Sequence, residues 1–223
     1  MKVVIIGANR GIGLALVKQY LQYGAEVVAV CRNMSDALHD LLDDHLTIMS
    51  NIDVTLAEDR EQLVNRIPGD IDHIIHNAGI LRPDNTHNVQ SQSDAILEQF
   101  QVNALAPLLT LHCLSTRLRP GAKMGIITSR MGSIADNTSG GMYGYRMSKA
   151  AVNMAGKGLA QDLREKGIAV YLLHPGFVQT DMTNGRGYIT PEVSAKGLWE
   201  RMNTLTFNET GTFWHTDGSE LTW

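Results

Sequence analysis

Val3, Val4, Ile5 and Ile6 form an apolar run without a polar break. It leads into Gly7-Ala8-Asn9-Arg10-Gly11-Ile12-Gly13, beyond which Leu14, Leu16, Val17, Tyr20 and Leu21 recur at helical spacing. This predicts a strand, a tight glycine turn and a helix. Further apolar runs predict strands at 26–30, 46–49, 71–76, 124–128, 168–174 and 212–214, and amphipathic stretches predict helices near 57–67, 92–118, 143–166 and 191–205. Strands that alternate with helices and read as continuous apolar runs belong to a parallel sheet covered on both faces. The expected architecture is α/β: one domain over residues 1–223, built as a doubly wound parallel sheet of about seven strands flanked by helices. Ligands of such sheets bind beyond the carboxyl ends of the strands, at the switch point. Gly7, Cys31, Asp53, Asn77, Ser129 and Pro175 all fall at or just after predicted strand ends, so residues distant in sequence converge on one crevice.

Composition narrows the function. With 223 residues, 43% hydrophobic and 19% charged, the chain suits one well-buried domain. Its net charge of −4 offers no general attraction to nucleic acid. No apolar run approaches the roughly 18 residues of a membrane span and no cleavable leader is recognisable, so a cytoplasmic protein without a membrane partner is expected. Cys31 and Cys113 are too few for a disulfide framework. The eight histidines lack zinc-ligand spacing, and His73 and His76, three apart in a strand, point to opposite faces; no metal site is expected.

Two features carry chemistry. In the glycine turn, the absence of side chains lets backbone approach a pyrophosphate, and the start of the following helix favours an anion. The spacing is G-x-x-x-G-x-G, not the G-x-G-x-x-G of the common dinucleotide fingerprint. Farther along, Tyr145 and Lys149 lie four apart in a predicted helix and share a face, whereas Tyr143, six before Lys149, lies on the other side. At an effective dielectric of ~20 and ~4 Å, an ammonium attracts a phenolate by about 4 kcal/mol, enough to pull a phenol toward neutral pH. The pair reads as a tuned acid/base.

Gly7/Gly11/Gly13, Asn77-Ala78-Gly79, Asn103, Ser129, Tyr145/Lys149 and Pro175-Gly176, in this order along nearly the whole chain, resemble the short-chain dehydrogenase/reductase family. The segments Ile127–Ile134, Tyr145–Lys149 and Asp217–Trp223 look most like C-factor and sniffer-type carbonyl reductases. The resemblance implies a Rossmann-type fold and hydride transfer between a nicotinamide and a small-molecule carbonyl or secondary alcohol. Tyr145 would be the general acid/base, Lys149 would lower its pKa and hold the ribose, Ser129 would orient the carbonyl, and Asn103 would hold a relay water. Ser133, 12 residues before Tyr145, competes with Ser129, 16 before it; Ser129 is preferred because it stands at the strand end.

For the cofactor, the second strand ends at Cys31-Arg32, where NAD-preferring members of this fold place an acid. Arg32, with no nearby acid, and Arg10 in the glycine turn predict NADP(H). Asp53-Val54 resembles the adenine-binding pair, Asn77-Ala78-Gly79 the adenosine wall, and Val178 and Thr180 after Pro175-Gly176 the carboxamide contacts. The stretch 183–190 predicts a short, mobile substrate loop through Gly185 and Gly187. Ala150, Met154 and Gly158 leave a homo-oligomer possible. Two rival readings remain: a non-catalytic NADP(H)-binding redox sensor, and an NAD-dependent alcohol dehydrogenase.

Overall fold

The computed structural model describes residues 1–67 and 69–223. Seven strands, β1 (Lys2–Ile6), β2 (Glu26–Val30), β3 (Leu46–Met49), β4 (Ile71–His76), β5 (Leu118–Ile127), β6 (Ala169–His174) and β7 (Phe213–His215), form one sheet in the order β3-β2-β1-β4-β5-β6-β7. All neighbouring pairs are parallel. The connection from β3 crosses back over β1 and β2 to β4, so the switch point lies between β1 and β4, as expected of a doubly wound sheet.

Strand residues alternate between two cores. Val4, Ile6, Ile74 and Leu172 pack under α3 (Ala57–Arg66), α5 (Ala106–Leu114) and α6 (Tyr143–Asp162), through Leu63, Leu111, Val152 and Leu159. Val3, Ile5, Tyr171 and Leu173 pack under α1 (Gly11–Gln22) and α7 (Pro191–Thr204), through Leu16, Tyr20, Leu198 and Met202. A side chain at Gly156 would place its Cβ 2.5 Å from Leu172 Cδ1, so glycine there lets α6 sit low on β6.

Three elements depart from expectation. The long helix read over 92–118 is broken: α4 (Ser93–Phe100) passes through a wide, π-type turn at Gln101–Leu105 before α5 begins. Strand β5 starts six residues early and passes through Pro120-Gly121, a pair that reads as a turn. Those first residues are largely exposed, beyond the buried core of the strand. A one-turn helix, α2 (Asp36–His39), follows β2 with Ser35 accepting a hydrogen bond from Leu38 N–H.

Candidate active site

The glycine turn is fixed by contacts that leave no room for side chains. Gly7 has φ +82°, and a Cβ there would lie 2.7 Å from Ala78 N; one at Gly13 would lie 1.9 Å from Gly7 O. Asn77 Nδ2 donates to Gly7 O at 2.9 Å, so the Asn-Ala-Gly element braces the turn. The N-terminus of α1 has no side-chain cap and no acid in its first turn, leaving its leading N–H groups for an anion. In front of it lies a cleft of 730 Å³.

Of the residues expected to hold a cofactor, Gly7, Asn9, Arg10, Gly11, Ile12, Cys31, Arg32, Asp53, Val54, Asn77, Ala78, Gly79 and Thr180 line this cleft. Gly13 sits beneath the turn, and Pro175, Gly176 and Val178 belong to the loop after β6, where Val178 is buried and bridges Ile189. Asn33, Ser35 and Asp181 also line the cleft and were not anticipated. Ser35 had a readable signal, a serine three before Leu38 as a helix cap; it also donates to Asn9 O at 2.5 Å.

Both arginines have acidic neighbours, which corrects the expectation that Arg32 stands apart from acids. Arg32 Nη1 lies 3.6 Å from Asp53 Oδ2, and Arg10 Nη1 lies 2.7 Å from Asp181 Oδ2. The carboxylates come from the third strand's end and from the loop after β6, which strand pairing folds onto the same crevice. Thr55 hydrogen bonds and Arg32 keep the Asp53 carboxyl below its usual range against a desolvation that pushes it up.

The second half of the crevice is closed over. Lys149 Nζ donates to Ile127 O at 3.0 Å and stands 5.7 Å from the centre of the Tyr145 ring, so the two do share the inner face of α6. A side chain on Gly132 would put Cβ 2.7 Å from the Lys149 backbone, which explains how the segment after Ser129 lies flat on α6. Burial pushes the Tyr145 phenol up to about 12, with a hydrogen bond to the Ser129 side chain acting the other way. Burial also brings the Lys149 ammonium down to about 8. The direction is opposite to the depression expected from the ammonium, and burial sets it.

Ser133, the competing serine, instead accepts from Asp136 N–H at 3.2 Å. Asn103 occupies the wide turn between α4 and α5, and both polar atoms of its side chain have protein partners. Oδ1 accepts from Ile80 N–H at 2.8 Å, and Nδ2 donates to Ile80 O at 2.8 Å and Ser148 Oγ at 3.0 Å. The side chain thus braces the segment after Gly79. Loop 183–190 is more constrained than its glycines suggest: Gln179 N–H donates to Ile189 O, Tyr188 N–H to Phe177 O, and a Cβ on Gly187 would come 2.5 Å from Gln179 N. Tyr188 stacks edge-on against Phe177 while remaining 88% exposed. Among the described residues no helix is long and apolar enough to cross a membrane, and no cluster of metal-ligating side chains forms.

Comparison with known proteins places this arrangement. The family model described as short chain dehydrogenase matches residues 1–188. A 1-hydroxy-2-glutathionyl-2-methyl-3-butene dehydrogenase from a Rhodococcus strain is 40% identical, covering 99% of both chains. Among solved structures, the carbonyl reductase Sniffer of D. melanogaster superposes with a TM-score of 0.93 at 31% identity, over 100% of this chain and 99% of that one. An NADPH-bound carbonyl reductase from chicken fatty liver gives a TM-score of 0.89 at 28% identity, over 100% and 98%. With a family model matching most of its length and a relative 40% identical over nearly all of it, the chain belongs to the short-chain dehydrogenase family.

Proposed function

We propose that the protein is an NADP(H)-dependent carbonyl reductase in which Tyr145 is the proton donor. The observation that carries this reading is the burial of Tyr145 and Lys149 together beside Ser129, at the carboxyl end of β5. The cleft fits a dinucleotide: its glycines leave backbone bare, the start of α1 lacks a cap, and Arg10 and Arg32 stand on its rim. The NADPH-bound chicken relative supports the phosphorylated cofactor. Bound NADP(H) supplies the hydride.

The chain's own groups handle position and protons. Ser129 hydrogen bonds the reacting oxygen and orients it toward Tyr145, and the phenol gives that oxygen its proton. With a phenol near 12 and an ammonium near 8, Tyr145 is protonated and Lys149 charged at neutral pH, the state an acid requires. Lys149 then stabilises the phenolate left behind. Since the Asn103 side chain is taken up by Ile80 and Ser148, any relay water would be held by main-chain carbonyls of the wide turn.

A second reading, oxidation of a secondary alcohol, draws on the Rhodococcus relative, whose name is that of a dehydrogenase. It uses the same residues in reverse. The test is a screen of NADPH and NADH oxidation over aldehydes, ketones and quinones, with NADP⁺ and NAD⁺ reduction by secondary alcohols alongside. Turnover with NADPH exceeding that with NADH by about tenfold or more is expected, from a charge-assisted phosphate contact. Preference for NADH overturns the cofactor reading, and tight NADPH binding without turnover on any substrate favours a sensor.

A further inference from the structure

Asp84 lies in a loop whose neighbours Arg82, Pro83, Asn85, Thr86 and His87 are exposed, yet it is only 5% accessible. Its carboxylate faces the start of α6, the helix that carries Tyr145 and Lys149. Tyr143 N–H donates to Oδ1 at 2.5 Å and Gly144 N–H to Oδ2 at 2.9 Å, while Met142 N–H donates to the Asp84 carbonyl at 2.9 Å. The helix has no cap of its own: Met142, at the capping position, has φ 52° and makes no side-chain bond. A helix start leaves its leading N–H groups without partners, and here Asp84 supplies them from 59 residues away. Its negative charge also suits the positive end of the helix.

The chain leading into this contact is anchored at two points. Gln99, fully buried on α4, accepts from Arg82 N–H at 2.9 Å and donates to Arg82 O at 3.3 Å. Asn103 holds both polar backbone groups of Ile80. Gly144 leaves space for this packing: a Cβ there would lie 2.5 Å from Gln99 Nε2 and 3.1 Å from Asp84 Oδ2. We propose that Asp84 is a positioning residue for the reaction, capping α6 in trans so that Tyr145 and Lys149 are presented at a fixed height above the end of β5. Tyr145 lies one residue past the last capped N–H, so slack in the first turn moves the phenol directly.

The inference rests on the proton-donor reading of Tyr145, and its test separates the two. Asp84→Ala, Asp84→Asn and Gly144→Ala are compared with Asn85→Ala as control. The readouts are kcat per NADPH-binding site, KM for the carbonyl, and hydrogen exchange of backbone amides. In Asp84→Ala, kcat per binding site should fall about 10- to 100-fold, the scale of a small displacement of reacting groups. NADPH affinity should stay within about twofold, because the glycine turn is untouched, and exchange should quicken in the segment 143–148 alone. Asp84→Asn keeps one acceptor and should lose less. If Asp84→Ala folds poorly, Gly144→Ala, whose Cβ would meet Gln99 Nε2 at 2.5 Å and crowd Asp84 Oδ2 at 3.1 Å, should loosen the same contact and give the same local signature. Unchanged kcat per site, or exchange that quickens evenly across the sheet, overturns the proposal. Loss of the proton-donor reading shows separately, as turnover that survives Tyr145→Phe, while local exchange still reports the hold of Asp84 on the helix.

Discussion

Where β1 and β2 end, the crevice is open and walled largely by backbone; where β5 and β6 end, it is closed over and made of buried side chains. On the open side the two arginines are mostly solvated, with Arg10 70% and Arg32 63% exposed, each beside a carboxylate. Such pairs contribute only about 0–1 kcal/mol, so an incoming phosphate can draw either arginine away at little cost. On the closed side Lys149 is 5% and Asn103 1% exposed, and the side chains of these two are held by Ile127, Ile80 and Ser148. Breaking one of those contacts costs far more, since it leaves a buried polar group unpaired. The same enclosure moves the phenol and the ammonium in opposite directions from their values in water. On the proposed reading, one half would recognise by exchangeable charges and bare backbone, and the other would do chemistry by withholding solvent.

The contrast orders the expected effects of substitution. Lys149→Met, in the closed half, should lower kcat for carbonyl reduction about 10³-fold, measured at saturating NADPH. Its wild-type counterpart should show a pH limb. As pH rises through about 8, Lys149 loses its proton, the phenolate formed on proton donation loses its stabilising charge, and kcat falls. Tyr145, near 12, stays protonated throughout that range, so the limb belongs to the lysine side of the pair. In Lys149→Arg, which retains its charge, the limb should move to higher pH even where the rate is reduced.

Next in size is Gly13→Ala, in the open half, where a methyl group meets Gly7 O. NADPH binding, followed by fluorescence titration, should weaken about 100-fold or more. Arg32→Asp should cut the NADPH/NADH preference in kcat/KM by about 10- to 100-fold, and an unchanged ratio would remove Arg32 from the phosphate site. The smallest effect is expected for Asp181→Asn. Freeing Arg10 from an exposed pair should tighten NADPH binding by less than about fivefold. A large change there would mean that the open half is more rigid than its exposure indicates.

Much of this was legible along the chain, for physical reasons that also explain what was not. Strands such as Ile71–His76 are continuous apolar runs, and the glycine turn is a local necessity, so both stand out in the order of residues. The 145/149 spacing reveals a shared helix face without any tertiary knowledge. The wide turn at Gln101–Leu105 escaped because apolar periodicity continues through it, and only the contacts of Asn103 with Ile80 and Ser148 show why it is there. Asp53 beside Arg32 and Asp84 beneath α6 escaped because their partners lie 21 and about 60 residues away. Pairing of that kind is written in the sheet order rather than in any local pattern. The pKa of Tyr145 was misjudged for a related reason: a pair of residues specifies the charge interaction, but the whole packed domain specifies the loss of solvent.

The central claim is that Tyr145 gives the proton in a reaction driven by NADPH. The most direct measurement is single-turnover reduction of a carbonyl by Tyr145→Phe loaded with NADPH, with cofactor binding titrated in the same preparation. NADPH affinity within about twofold of wild type, with a hydride-transfer rate lower by about 10²- to 10⁴-fold, is the predicted result. A rate within about threefold of wild type at equal cofactor occupancy would contradict it.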